Sequence, residues 1–130
     1  MYARDNTATV SAAQQPPTGA QIEAAVTALR MLADQTRLRL LWLLATGEYD
    51  VGSLTAAVGA ARPSVSQHLA KLKLAGLVTT RRDGRRVVYA ARGGHVRLLV
   101  TEVLAAADHH LTGAPDHDLT PHHRSPPVST

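Results

Sequence analysis

The stretch from Arg62 to Leu77 reads RPSVSQHLAKLKLAGL. At helical spacing Val65, Leu69, Leu72 and Gly76 share one face, while Ser64, Gln67, His68 and Lys71 share another. Ser66 is a second hydroxyl in the same turn as Ser64. Hydroxyl, amide, imidazole and ammonium groups along one side of a helix are the groups that read base edges and meet phosphates in a DNA major groove. A second concentration of chemistry lies downstream, where six of the seven histidines fall between His95 and His123. Imidazoles with nearby carboxylates such as Asp108 form a nitrogen and oxygen donor set suited to nickel, cobalt or zinc.

The flanking segments must position these groups. Pro63 can open a helix, because its missing N–H is not needed in the first turn. Upstream, Asp50 can cap a short helix from Val51 to Val58 that turns Val51, Leu54 and Val58 inward, and Gly59 ends it. Two short helices joined by a tight glycine-containing link form a helix-turn-helix. Before them, Asp34 caps a helix containing LRLLWLLA (Leu38 to Ala45), which is apolar nearly all round and should be central; Gly47 ends it. From Gln21, the residues Ile22, Val26, Leu29 and Leu32 give a further helical stripe.

After Gly76 the period changes to alternation, and Asp83-Gly84 predicts a hairpin with strands near Val78 to Arg82 and Arg85 to Ala91. Arg81, Arg82, Arg85 and Arg86 crowd its tip. Charged edges deter aggregation, but four like charges at one turn repel each other and are better explained as phosphate or minor-groove contacts. Gly93-Gly94 leads into a last helix, His95 to about His110, whose stripe is His95, Leu99, Glu102, Val103, Ala106 and His109 or His110. The expected organisation is a disordered tail over 1–19, one mainly helical winged helix-turn-helix domain with a small β-hairpin over 20–111, and a flexible histidine-containing tail over 112–130.

Composition narrows the classes. The net charge is +4, and between Val51 and Thr101 nine arginines or lysines face one acid, Asp83. A one-signed block within a folded region serves a polyanion. The absence of cysteine excludes disulfides, iron–sulfur clusters and thiolate metal sites. No apolar run approaches the ~20 residues needed to span a bilayer, so a cytoplasmic protein without membrane partners is expected. No phosphate loop, nucleophile elbow or HExxH motif suggests an enzyme. Although 45% of residues are hydrophobic, none is Phe. Such a thin core is expected to gain from burial against a second copy.

LRMLADQTRLRLLWLL (Leu29 to Leu44), SVSQHLAKLKLAGLV (Ser64 to Val78) and RRDGRRVVY (Arg81 to Tyr89) together resemble the ArsR/SmtB family of bacterial metal-responsive repressors, and within it the nickel and cobalt sensors. The resemblance covers about Gln21 to His110. It implies a homodimer built on terminal helices. It further implies repression of metal-efflux genes from double-stranded operator DNA, and release by metal. It assigns groove contacts to Ser64, Ser66, Gln67, His68 and Lys71 and flanking contacts to Arg81, Arg82, Arg85 and Arg86. At the family's Cys-x-Cys metal site this chain has Glu48-Tyr49-Asp50-Val51 and no thiol, which disfavours soft-metal sensing there.

At the family's other site, on the last helix, the resemblance matches His95, then Asp108-His109, then His122-His123, with His110 a further imidazole. Where many members carry an acid two residues before the first histidine, this chain has Gly93. His95 and His109 are fourteen residues apart, about 21 Å along a helix but only about 40° apart in direction. One helix cannot chelate an ion with both. In an antiparallel pair of helices centred near Glu102, His95 of one copy meets His109 of the other. The reading is a dimeric repressor sensing nickel or cobalt, with zinc also suitable; the alternative is a winged-helix regulator with no metal response.

Overall fold

The computed structural model describes residues 15–113; the expected tails, with His117, His122 and His123, lie largely outside them. The elements in chain order are α1 (Gly19–Leu32), α2 (Gln35–Thr46), β1 (Tyr49–Asp50), α3 (Val51–Val58), α4 (Arg62–Leu74), β2 (Val78–Asp83), β3 (Arg86–Ala91) and α5 (Gly93–Thr112). The architecture is the winged helix-turn-helix that the sequence predicts. Among the described residues no helix is long and apolar enough to cross a membrane.

Local chemistry sets most boundaries. Thr18 and Gln21 form a reciprocal capping box at the start of α1, with Thr18 Oγ1 accepting from the Gln21 N–H at 3.1 Å and Gln21 Oε1 accepting from the Thr18 N–H at 2.8 Å. Asp34 caps α2 by accepting from the Arg37 N–H at 2.9 Å, and Asp50 caps α3 by accepting from the Ser53 N–H at 2.8 Å. Helix α4 stops at Leu74, so Gly76 lies past the end of the apolar face rather than on it. With φ +78°, Gly76 takes the left-handed position of a Schellman stop. The Leu77 N–H bonds to the Leu72 carbonyl and the Gly76 N–H to the Lys73 carbonyl.

Helix α2 is central, as its all-round apolar character predicts. It packs against α1, α3, α4, α5 and β3. Leu40, Leu41 and Leu44 of α2 are fully buried with Leu54 of α3, Val65, Leu69 and Leu72 of α4, and Val100 of α5. The recognition helix is thus anchored through three side chains to the middle of the molecule.

Helix α5 begins two residues before the expected His95, and three further features depart from the sequence expectation. A two-residue strand, β1, joins the hairpin to give a sheet ordered β1-β3-β2, with Tyr49 opposite Tyr89 and Asp50 opposite Val88. The hairpin loop is Gly84-Arg85 rather than Asp83-Gly84, because Asp83 pairs with Arg86. Gly84 has φ +63° while no non-glycine residue has positive φ, the pattern of a turn with glycine at its first central position. Finally, of the α1 stripe only Leu32 is buried; Ile22, Val26 and Leu29 remain exposed.

Truncating the α4 anchor should be costly, because the fully buried Leu69 cannot be replaced without a cavity. Leu69→Ala is expected to lower unfolding free energy by about 2–5 kcal/mol, measured by urea denaturation at fixed protein concentration. A loss below about 1 kcal/mol would contradict this packing.

Candidate nucleic-acid interface and ligand helix

Helix α4 presents Ser66, Gln67 and Lys71 to solvent, while Ser64 and His68 are half-buried on its flank. The polar face read from the sequence therefore divides. Ser66, Gln67 and Lys71 are free to enter a groove, and Ser64 and His68 sit where the helix meets the body. Leu74 is 91% exposed at the end of the outward face, an apolar tip that the polar pattern did not single out.

His68 has a partner that sequence reasoning missed. Its Nδ1 lies 3.4 Å from Nη1 of Arg37 in α2. The same guanidinium donates from Nε to the Met31 carbonyl at 2.8 Å and from Nη2 to the Arg30 carbonyl at 3.4 Å. These are carbonyls of the last turn of α1, where the helix end favours a cation; the Arg30 carbonyl also accepts from the Ala33 N–H at 3.3 Å. Arg37 thus joins the end of α1 to the recognition helix. Only a long-range contact reveals this role, since in the sequence Arg37 reads as an ordinary first-turn residue.

The hairpin's arginines are not equivalent. Arg81 donates from Nε to Glu48 Oε2 at 3.0 Å, with Nη2 bonded to the same oxygen. Arg86 bonds Asp50 Oδ2 and Asp83 Oδ2, each at 3.3 Å. No ion pair among the described residues involves Arg82 or Arg85. Lys73 of α4, also missed, donates to Thr80 Oγ1 of β2 at 3.0 Å, joining the recognition helix to the wing. Glu48 raises the Arg81 pKa further through its hydrogen bonds. The Asp50 carboxyl is held below the usual value of 3.8, first by the Ser53 N–H and then by the Ser53 hydroxyl and Arg86. Asp34 is lowered chiefly by the Arg37 N–H.

Helix α5 places its candidate ligands at its two ends. His95 is in the first turn, and Asp108, His109 and His110 are in the last. His95, Asp108 and His110 are exposed and His109 is half-buried. Among the described residues no three His, Asp or Glu side chains converge on one point. Within the described residues His95 is thus separated along the helix from Asp108, His109 and His110. His122 and His123 lie outside the described residues. The core holds α5 by Val100, with Val96, Leu99 and Leu104 half-buried. Most of the other stripe, including His95, Glu102, Val103 and Ala106, stays exposed. Leu98 is also exposed, and Trp42 of α2 is 47% exposed. Trp42 lines an apolar groove of about 550 Å³ with Leu38, Leu43, Ala57, Val58 and Leu104.

A buried-face recognition helix preceded by a short helix and followed by a basic hairpin defines a DNA-binding transcription regulator of the winged helix-turn-helix class. Residues 34–80 match the family described as bacterial regulatory protein, arsR family. The chain is 48% identical over 97 residues to the HTH-type transcriptional regulator KmtR of Mycobacterium tuberculosis, covering 75% of each chain. It is 37% identical over 92 residues to the HTH-type transcriptional repressor SmtB of the same species, covering 71% of this chain and 68% of that one. The chain belongs to the ArsR family, whose members are DNA-binding transcriptional regulators and not enzymes. Among solved structures, the homodimeric winged helix-turn-helix domain of Mb0332 from Mycobacterium bovis aligns with TM-score 0.71 at 34% identity, covering 83% of this chain and all of that one. HlyU from Vibrio cholerae aligns with TM-score 0.62 at 32% identity, covering 72% of this chain and 97% of that one.

The two roles of Asp50 can be separated. Its folded carboxyl has the lower pKa, so its stabilisation is complete above the unfolded value of 3.8 and is lost as pH falls through the folded value. Asp50→Asn retains a capping side chain but loses the charge. The Tm gap between wild type and this variant should be largest at pH 7 and close toward pH 3. A gap independent of pH would contradict the assignment.

Proposed function

We propose that the chain acts as a homodimeric repressor that binds operator DNA and is released by nickel or cobalt, zinc being a further suitable ion, to control metal-efflux genes. The observation that carries this reading is the exposed ligand-bearing face of α5. His95 and the Asp108-His109-His110 group stand at opposite ends of one helix, with an exposed apolar stretch between them. A second copy packed antiparallel on that stretch brings His95 of one chain beside His109 of the other, on each side of the dyad. The uncovered residues Ile22, Val26 and Leu29 of α1 favour the same pairing, as does the homodimeric state of the Mb0332 domain.

In this reading Ser66, Gln67 and Lys71 enter the major groove, with Ser64 and His68 steadying the helix from its flank. The wing formed by β2 and β3 follows the adjoining backbone. The two recognition helices of the dimer read half-sites roughly 34–36 Å apart. Imidazole nitrogens of His95, His109 and His110 and the Asp108 carboxylate would hold the ion. His122 and His123 would add donors from the tail, and a set of more than four favours nickel or cobalt over the tetrahedral preference of zinc. The ion then favours a spacing of the two reading heads that fits the operator poorly.

A coupling of about 1–3 kcal/mol, or roughly 5–150-fold in affinity, is typical of such linkage. The double variant His95→Ala with His109→Ala is expected to bind operator as wild type does without metal. Its nickel-induced loss of affinity, followed by fluorescence anisotropy, should disappear. Nickel release undiminished in that variant would favour the alternative reading, a regulator whose α5 histidines sense no metal.

A further inference from the structure

The wing is a two-faced element. Strand residues alternate between faces, and the observed register sorts the hairpin. Val78, Thr80 and Arg82 of β2 lie on the same face as Val87, Tyr89 and Ala91 of β3. Val78 and Ala91 are buried in the core, and Thr80 accepts from Lys73 of α4. This face is therefore continuous with the recognition helix. Arg81, Asp83, Arg86 and Val88 lie on the opposite face, together with Asp50 of β1. There the arginines are already matched by anions of the chain itself, Arg81 by Glu48 and Arg86 by Asp50 and Asp83.

We propose that Arg82 and Arg85 are the wing residues that neutralise operator phosphates, and that Arg81 and Arg86 are positioning residues. Glu48 and Asp50 hold those two arginines and so fix the angle of the wing to the helix-turn-helix. Asp50 is the hinge pin of this arrangement. One of its oxygens caps α3, the first helix of the helix-turn-helix, while the other binds Arg86 of the wing. Glu48 adds a second tie across the sheet, with two bonds into one guanidinium. Arg82 pairs with Val87 and Arg81 with Val88, and alternation along β2 makes these neighbouring arginines serve opposite faces.

The test is a set of variants read by operator affinity across a salt series. Each phosphate neutralised contributes about −0.9 to the slope of log K against log salt. Arg82→Gln and Arg85→Gln should each weaken binding and flatten the slope by about 0.9 for each phosphate that is no longer neutralised. The charge swap Glu48→Arg with Arg81→Glu keeps net charge and can keep the ion pair. It should leave affinity within about threefold and the slope unchanged, whereas Arg81→Glu alone should weaken binding. A swap that loses tenfold or more in affinity, or an Arg82→Gln slope equal to wild type, would overturn the proposal. Arg82 is exposed and makes no ion pair among the described residues, so its variant tests the proposal even if the swap fails to fold. Wild-type binding to the same operator is the separate check on the proposed function.

Discussion

Burial of one side of the recognition helix against α2 is the constraint on which the rest depends. Val65, Leu69 and Leu72 are wholly enclosed with Leu40, Leu41 and Leu44. Their burial leaves Ser66, Gln67 and Lys71 outward by helical geometry alone. The same central helix supports α5 from another side. A shift of α5 can reach α4 through α2 or, by way of β3, through the sheet, and packed cores shift between discrete arrangements rather than deforming smoothly. Arg37 adds a polar route beside the apolar one, from the last turn of α1 to His68.

A short chain without phenylalanine encloses few side chains, and the described surface shows the consequence. Ile22, Val26, Leu29, Trp42, Leu98 and Val103 are large apolar residues left at the surface. They lie on α1, α2 and α5, while Leu74 of α4 and Val87 of β3 are exposed as well. In the proposed reading the partner surface lies on α1, α2 and α5 and the DNA surface on α4 and the wing, a separation that lets a ligand at one act on the other. The ion pairs of the wing serve the opposite end. Exposed pairs contribute little to stability, but they decide which cations remain free for a polyanion.

Much of this was legible in the chain. Asp34, Asp50, Gly47 and Gly59 mark helix ends by short-range chemistry, and the periods of Leu38 to Ala45 and Val65 to Leu72 name the buried faces. What was not legible depends on partners distant in sequence. Strand β1 is two residues long and exists only because Tyr49 meets Tyr89. The hairpin register was ambiguous because Asp83-Gly84 and Gly84-Arg85 both make two-residue loops. The Arg37–His68 contact spans 31 positions and the Arg81–Glu48 pair spans 33, beyond the reach of any periodicity. The candidate ligands His95 and Asp108 to His110 rest on sequence spacing and on the proposed pairing, since the helix holds His95 and His109 fourteen residues apart and their partners would come from another copy.

In the proposed function ligand and operator compete through one dimer, so each must weaken the other by the same factor. The direct measurement is the nickel dissociation constant of the purified protein, by isothermal titration calorimetry, with and without saturating operator duplex. Binding at least fivefold weaker on DNA is expected, matched by an equal loss of operator affinity when nickel is bound. Equal nickel affinity in the two states would contradict it.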